Sequence, residues 1–283
     1  MDRSSSISAE DHQHGEAVPG PPVTPRPSAT VILVRDGAEG RPEVFMVRRH
    51  PRSRFAADAF VFPGGTLRED DTVRGGLPPC SGLTAENAHR RLTERGSNPP
   101  SDAAESLQHY TAAVRELFEE AGILLARRIG HAAGPLDDAT CQQLARLRPE
   151  VQQGRSLTQA ALNLELGLMP EQLVYFSHWI TPEPSPRRYD TRFFVVKDCP
   201  EQTASHCGIE TVDGIWIAPA ELLRRSRAGA LTLVSVTAEH LRVLAVYPTV
   251  AALLAFARAK PIRTVLSVRS SAGWDLGGDG APW

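Results

Sequence analysis

Between Asp102 and Gly122 the chain carries "DAAESLQHYTAAVRELFEEAG", its strongest helical stretch, with three glutamates inside five positions. Gly122 is a natural stop, because glycine takes the left-handed conformation that ends helices. Residues three and four apart share one helix face, so Glu116, Glu119 and Glu120 must be neighbours, with Arg115 directly before them. Like charges this close repel one another unless cations compensate. Taken alone, they read as a solvated acidic face paired with Arg115 or Arg127. Leu117, Ile123 and Leu124 argue otherwise: they give the helix a packed side and leave the glutamates on its rim. Hard divalent cations such as Mg2+ bind through carboxylate oxygens, waters and substrate phosphates, and a rigid helical row of glutamates supplies such oxygens at fixed separation.

The rest of the chain supplies a scaffold. "SATVILVRD" (28–36) and "PEVFMVRRH" (42–50) read as two strands of a hairpin, and "DAFVFPGG" (58–65) as a third strand ending in Pro-Gly-Gly. Residues 66–106 are polar, with one helix in "LTAENAHRRLTERG"; residues 136–168 read as helical in two pieces. Strands return at 173–181 and 189–197 around a Pro-rich loop. "GIWIAPAELLRRSRAG" reads as a strand turning into a helix with Pro219 in its first turn, and a last helix over about 237–259 is kinked or split by Pro248. Strands before, between and after helices predict an α+β domain and not a βαβ series. Residues 1–27, rich in Ser, Pro, Gly and charge without an apolar stretch, read as a disordered leader. Residues 263–283 read as a tail, which leaves a single domain over 28–262.

Composition removes some functions. A formal net charge of −2 argues against a broad basic surface for nucleic acid. No run approaches the ~18 apolar residues of a membrane span. Cys80, Cys141, Cys199 and Cys207 form no C-x-x-C pair, which favours a reducing compartment and a cytoplasmic location. Cys199, His206 and Cys207 match no familiar zinc spacing.

"RELFEEAGI" (115–123) resembles the second half of the Nudix box, R-E-U-x-E-E-x-G-U with U apolar, at every fixed position. The first half, G-x5-E, is met by Gly65 and by Asp71 where glutamate is usual. An uninterrupted box would place the arginine at 79; it stands at 115, so 36 residues interrupt the motif, over about 72–106. Loop extension is mild thermodynamically, since closure entropy grows only logarithmically with length. The interrupted box, "FVFPGG" and "HWITPEPSPRRYDTRFFVV" are similar to the branch of peroxisomal coenzyme A diphosphatases and their bacterial relatives. The resemblance implies a Nudix-type α/β/α sandwich with a mixed sheet, an insertion within the box and additional helices.

It also implies a reaction: Mg2+-dependent, or Mn2+-dependent, hydrolysis of a nucleoside diphosphate linked to another moiety, coenzyme A or acyl-coenzyme A first. ADP-ribose, NADH or another nucleotide sugar or dinucleotide is the alternative substrate, and a non-catalytic nucleotide-binding regulator the alternative class. By the resemblance Glu119 and Glu120 are the principal metal ligands, Glu116 completes the set, and Arg115 orients a glutamate without touching substrate. Gly64 and Gly65 let the backbone approach the helix because neither has a Cβ. Arg49 and Arg54 partly match a coenzyme A signature upstream of the box, against the plainer reading of a solvated strand end. Arg188, in "RRYDT", is either a substrate contact or part of a strand start. The general base stays open among Glu119, Glu120 and a later loop residue such as Glu210. His178 and Trp216 read as structural, and the insertion and the 136–168 helices lie where they could cover the pocket. The partner is a small molecule, with no nucleic acid and no membrane; a homodimer stays open.

Overall fold

The computed structural model describes residues 23–266, except 54–55, 73–81, 97, 132–133, 184, and two further short strands at 268–270 and 273–275. Of the expected leader, residues 1–22 lie outside the described residues, as do Arg54 and Cys80, while its end at residue 27 is corrected: Arg26 and Pro27 already belong to the first strand.

The apolar run at 29–34 has no polar alternation, and that is the mark of a strand covered on both faces. It becomes β1 (Arg26–Asp36), the centre of the main sheet. Its odd residues Ala29, Val31 and Leu33 join one core, and Ile32 and Val34 join the other. β2 (Pro42–Arg49) pairs antiparallel with the C-terminal half of β1. The third predicted strand breaks at Pro63 into β3 (Ala59–Val61), beside β2, and β4 (Gly64–Thr66), beside the N-terminal half of β1. Proline cannot donate to a ladder, and the split follows from that. α1 (Ala85–Thr93) lies in the insertion. α2 (Ala103–Ala121) carries the glutamates, with Asp102 capping its start and Gly122, at φ +75°, ending it.

The chain then forms β5 (Ala126–Arg128), α3 (Asp138–Gln152), α4 (Leu157–Asn163) and β6 (Leu166–Leu168). β5 and β6 pair with each other, so the end of the stretch expected to be helical is a strand. β7 (Val174–Ile180) and β8 (Tyr189–Lys197) extend the sheet, with β8 parallel to β1. β9 (Thr211–Ile217) pairs with β2 and leads into α5 (Pro219–Arg227), which Pro219 opens. β10 (Thr232–Leu233) follows, and the last helical segment divides at Pro248 into α6 (Ser235–Leu244) and α7 (Val250–Ala259).

The tail expected from residue 263 is corrected: β11 (Thr264–Leu266) adds a parallel edge strand beside β7, so the sheet runs past residue 262. Short strands β12 (Val268–Ser270) and β13 (Gly273–Asp275) pair with each other. The main sheet is mixed, ordered β10-β3-β2-β1-β8-β7-β11. α2, α1 and α3 cover the face of Val31 and Leu33; α5, α6 and α7 cover the face of Ile32 and Val34. The expected α/β/α sandwich is what forms. No described helix is long and apolar enough to cross a membrane.

Candidate metal and diphosphate site

The glutamates are not a solvated face. Glu116, Glu119 and Glu120 are 7%, 5% and 3% exposed, because α2 is sandwiched between the sheet and the added helices α1 and α3. Isolated buried carboxylates would be very costly, so the question is what compensates them. Arg115, 1% exposed, is the hub. Its Nε and Nη2 donate to the two oxygens of Asp71 at 2.7 and 2.9 Å, and Nη2 also donates to the Thr66 carbonyl at 2.9 Å. Its Nη1 donates to Glu116 Oε1 at 2.6 Å and Glu119 Oε1 at 3.3 Å. A bidentate arginine–carboxylate fork fixes orientation as well as charge, so Arg115 can aim both glutamates.

Asp71 closes the interrupted motif. It stands in a one-turn 3-10 helix, Glu69–Asp71, is 2% exposed, and meets Arg115 at a sequence separation of 44. The 36-residue interruption therefore loops out without separating the two halves of the box. Arg68, which sequence reasoning did not single out, places both Nη atoms on the oxygens of Glu119, at 2.7 and 3.0 Å. The available signal was its place among the five residues between Gly65 and Asp71.

On the sheet side, Gly64 N–H donates to Glu120 Oε2 at 3.1 Å. A Cβ on Gly65 would stand 2.4 Å from Glu116 Oε1, and one on Gly64 would stand 2.7 Å from the Ala29 carbonyl. The paired glycines are thus a requirement of close approach. α3 reaches the same place from outside: Arg148 Nε and Gln152 Nε2 both donate to the Glu119 carbonyl, at 3.0 and 2.6 Å. Arg148 also holds Ser205, through Oγ at 3.0 Å and the carbonyl at 2.7 Å, in the loop that leads to Glu210. Of the segments expected to approach the site, the 136–168 helices do so. α1 instead leans on the early part of α2, where His89 Nδ1 meets Ser106 Oγ at 2.9 Å.

Electrostatics follow from burial. Glu116 is pushed up to about 7 by burial, with Arg115 opposing and Glu119 adding. Glu120 is pushed well above the carboxylate range by burial and by Glu116, while Arg49 and the Gly64 amide oppose and Glu210 adds. Glu119 is raised by burial against the pull of Arg115 and Arg68. Burial alone would lower the Arg115 guanidinium; Asp71, Glu116 and Glu119 outweigh it and raise it.

Arg49 and Glu210 therefore act on Glu120 through their charge. The Glu210 carbonyl accepts from His50 N–H at 2.9 Å, which fastens its loop to the end of β2. Arg188 goes elsewhere: its Nε and Nη1 donate to the Thr181 and Val23 carbonyls, both at 2.9 Å, and it forms no contact with the carboxylates. These bonds and its burial assign it to fastening the start of β8. His178 is buried between Asp190 and Thr264, and Trp216 packs on Phe45 under the Arg35 guanidinium.

The donor set suits a hard divalent cation. Four carboxylates face two guanidinium groups, and neither Glu116 Oε2 nor Glu120 Oε1 accepts a hydrogen bond from a described residue. Among the described residues no three acidic, His or Cys side chains already stand as a ready cage. The oxygens of Glu119 are engaged by Arg68 and Arg115.

The pattern of the NUDT19 Nudix domain matches residues 26–235, most of the chain. The chain belongs to that family. The family generally uses divalent metal ions. Among relatives, the acyl-coenzyme A diphosphatase NUDT19 of Gallus gallus is 29% identical over 72% of this chain and 64% of its own length. That of Xenopus laevis is 28% identical over 64% of this chain and 54% of its own length. The chain thus spans less than two thirds of the curated relatives it matches. The crystal structure of a Nudix hydrolase from Alicyclobacillus acidocaldarius superposes with a TM-score of 0.61 at 24% identity, covering 84% of this chain and 97% of that one. The Nudix sandwich is therefore the fold of this chain.

Proposed function

We propose that this Nudix domain hydrolyses the diphosphate of coenzyme A or an acyl-coenzyme A in a Mg2+-dependent or Mn2+-dependent reaction. The observation that carries this reading is the convergence of Glu116, Glu119 and Glu120 around Arg115, against the Gly64–Gly65 backbone. The name borne by the relatives supports the substrate class.

Hydrolysis of a diphosphate gathers negative charge where phosphates are already clustered. Glu116, Glu119 and Glu120 would hold the metal, which when bound neutralises that charge and acidifies water. Arg115 holds Glu116 and Glu119 in place and, fully engaged, leaves substrate to others. Arg49, close enough to act on Glu120, is the candidate phosphate contact on this side, with Arg54 its expected partner. Glu210 sits on an exposed loop beside Glu120 and is the candidate general base. A reducing cytoplasmic setting fits the scattered cysteines.

The test is a panel of coenzyme A, an acyl-coenzyme A, NADH and ADP-ribose with purified protein and Mg2+, read as phosphate-containing products. Preferential cleavage of the coenzyme A compounds is expected. Preference for ADP-ribose or NADH would transfer the reading to those substrates, and binding without turnover would make the domain a regulator.

A further inference from the structure

Two arginines hold Glu119, and they differ in freedom. Arg115 is 1% exposed and bonds four acceptor groups, so it cannot leave without stranding buried carboxylates. The Arg68 side chain is 34% exposed, and its guanidinium bonds Glu119 alone among described residues. Its backbone, by contrast, is held from both sides. The N–H donates to Asp71 Oδ2 at 2.7 Å, and the carbonyl accepts from Gln108 Nε2 at 2.6 Å. The side chain thus extends from a fixed base to the edge of the carboxylate cluster.

Its fork takes up both oxygens of Glu119, a group that the proposed function needs as a metal ligand. A guanidinium and a divalent cation beside one carboxylate also repel each other. Once displaced, the same planar fork fits a phosphate as well as it fits a carboxylate.

We propose that Arg68 is a two-position residue: it neutralises Glu119 until a divalent cation takes that carboxylate, then turns its guanidinium onto the substrate diphosphate. Arg68 thereby lowers metal affinity and raises affinity for a nucleoside diphosphate in the metal-loaded protein. The proposal rests on the reading of this cluster as a metal and diphosphate site, yet it predicts opposite signs that the reading alone does not.

The experiment uses the full chain as wild type, Arg68→Ala and Arg68→Lys, with circular dichroism confirming the fold. Mn2+ alone is titrated by electron paramagnetic resonance, and ADP is then titrated calorimetrically at saturating Mn2+. Arg68→Ala should bind Mn2+ about fivefold to tenfold more tightly, the range of a partly exposed ion pair plus like-charge relief, and ADP about tenfold more weakly. Arg68→Lys, with charge but no fork, should fall between the two in both titrations. Unchanged or weaker Mn2+ binding by Arg68→Ala, or unchanged ADP binding, overturns the proposal and leaves the metal site standing. Failure of the wild type to bind Mn2+ overturns both.

Discussion

Two buried arginines meet the central helix, and the company each keeps is different. Arg115 sits within a group of four carboxylates, Asp71, Glu116, Glu119 and Glu120, with Arg68 bonded to Glu119 and Arg49 acting on Glu120, so among the described residues the carboxylates still outnumber the guanidinium groups. Arg192, on β8, donates to Asp190 at 3.2 Å, His109 Nε2 at 2.9 Å and the Asn98 carbonyl at 3.1 Å. Asp190 in turn meets His178, and His178 meets Thr264. There one guanidinium answers one carboxylate, and the bonds join α2, β8, β7, β11 and the insertion. Charge balance makes the second group a joint; charge excess in the first is what the proposed cation would answer.

Replacing each arginine breaks or sharpens that contrast with the largest effect. Arg115→Met strands several buried carboxylates and should cost about 3–5 kcal/mol in urea unfolding, with turnover lost even at temperatures where the variant is folded. Arg192→Met should cost about 3 kcal/mol, the lower end of that range because Asp190 is partly exposed, while the folded fraction keeps its kcat. A fully folded Arg192→Met without turnover would erase the distinction.

The two groups should also respond to pH with opposite sign. Glu116, pushed from the ordinary 4.5 to about 7, favours its protonated form in the fold, so stability should fall as pH rises from about 4.5 to 7. His109, pulled from 6.5 to about 3 by burial and then by Arg192, favours its neutral form, so its contribution should be lost as pH falls from 6.5 towards 3. Chemical denaturation in EDTA checks both: Glu116→Gln should reduce the first slope, to which Glu119 and Glu120 also contribute, and His109→Asn should reduce the second, to which buried His240 also contributes. Saturating Mg2+ should also flatten the first slope, since bound carboxylates are already deprotonated, and leave the second alone.

The smallest effect concerns the outer clamp. Arg148 touches the Glu119 carbonyl and the Ser205 loop but no carboxylate oxygen, so Arg148→Ala should lower kcat/KM about tenfold, as loss of an outer partner does. A change of a hundredfold or more would place Arg148 inside the charge-excess group.

What could be read in advance follows the same division between contiguous and distant. The glutamates and Arg115 stand on one helix, so spacing alone brings them together, and Arg115 hydrogen-bonds two of the three. The sandwich was implied by the resemblance, and its strands were legible because the centre of β1, Val31 to Val34, is apolar and proline and glycine mark the breaks. Arg68 and Glu119 are 51 positions apart, and no periodicity links them. Asp71, standing where the motif usually has glutamate, became the bidentate partner of Arg115 only through a 3-10 turn beyond the Gly-Gly strand. β5, β6 and β11 have three residues each, too few to show an alternating pattern, and each depends on a distant partner strand. Of the two readings of Arg188, its hydrogen bonds favour the strand start, because an arginine in a motif-like segment is equally suited to capping backbone carbonyls.

The central claim is that the charge excess on α2 holds a divalent cation. Titration of the full chain with Mn2+ by electron paramagnetic resonance, comparing wild type with Glu119→Gln/Glu120→Gln, tests it most directly. The account predicts saturable binding by the wild type and its loss in the double variant, with unchanged circular dichroism. Equal Mn2+ affinity in the two proteins would contradict it.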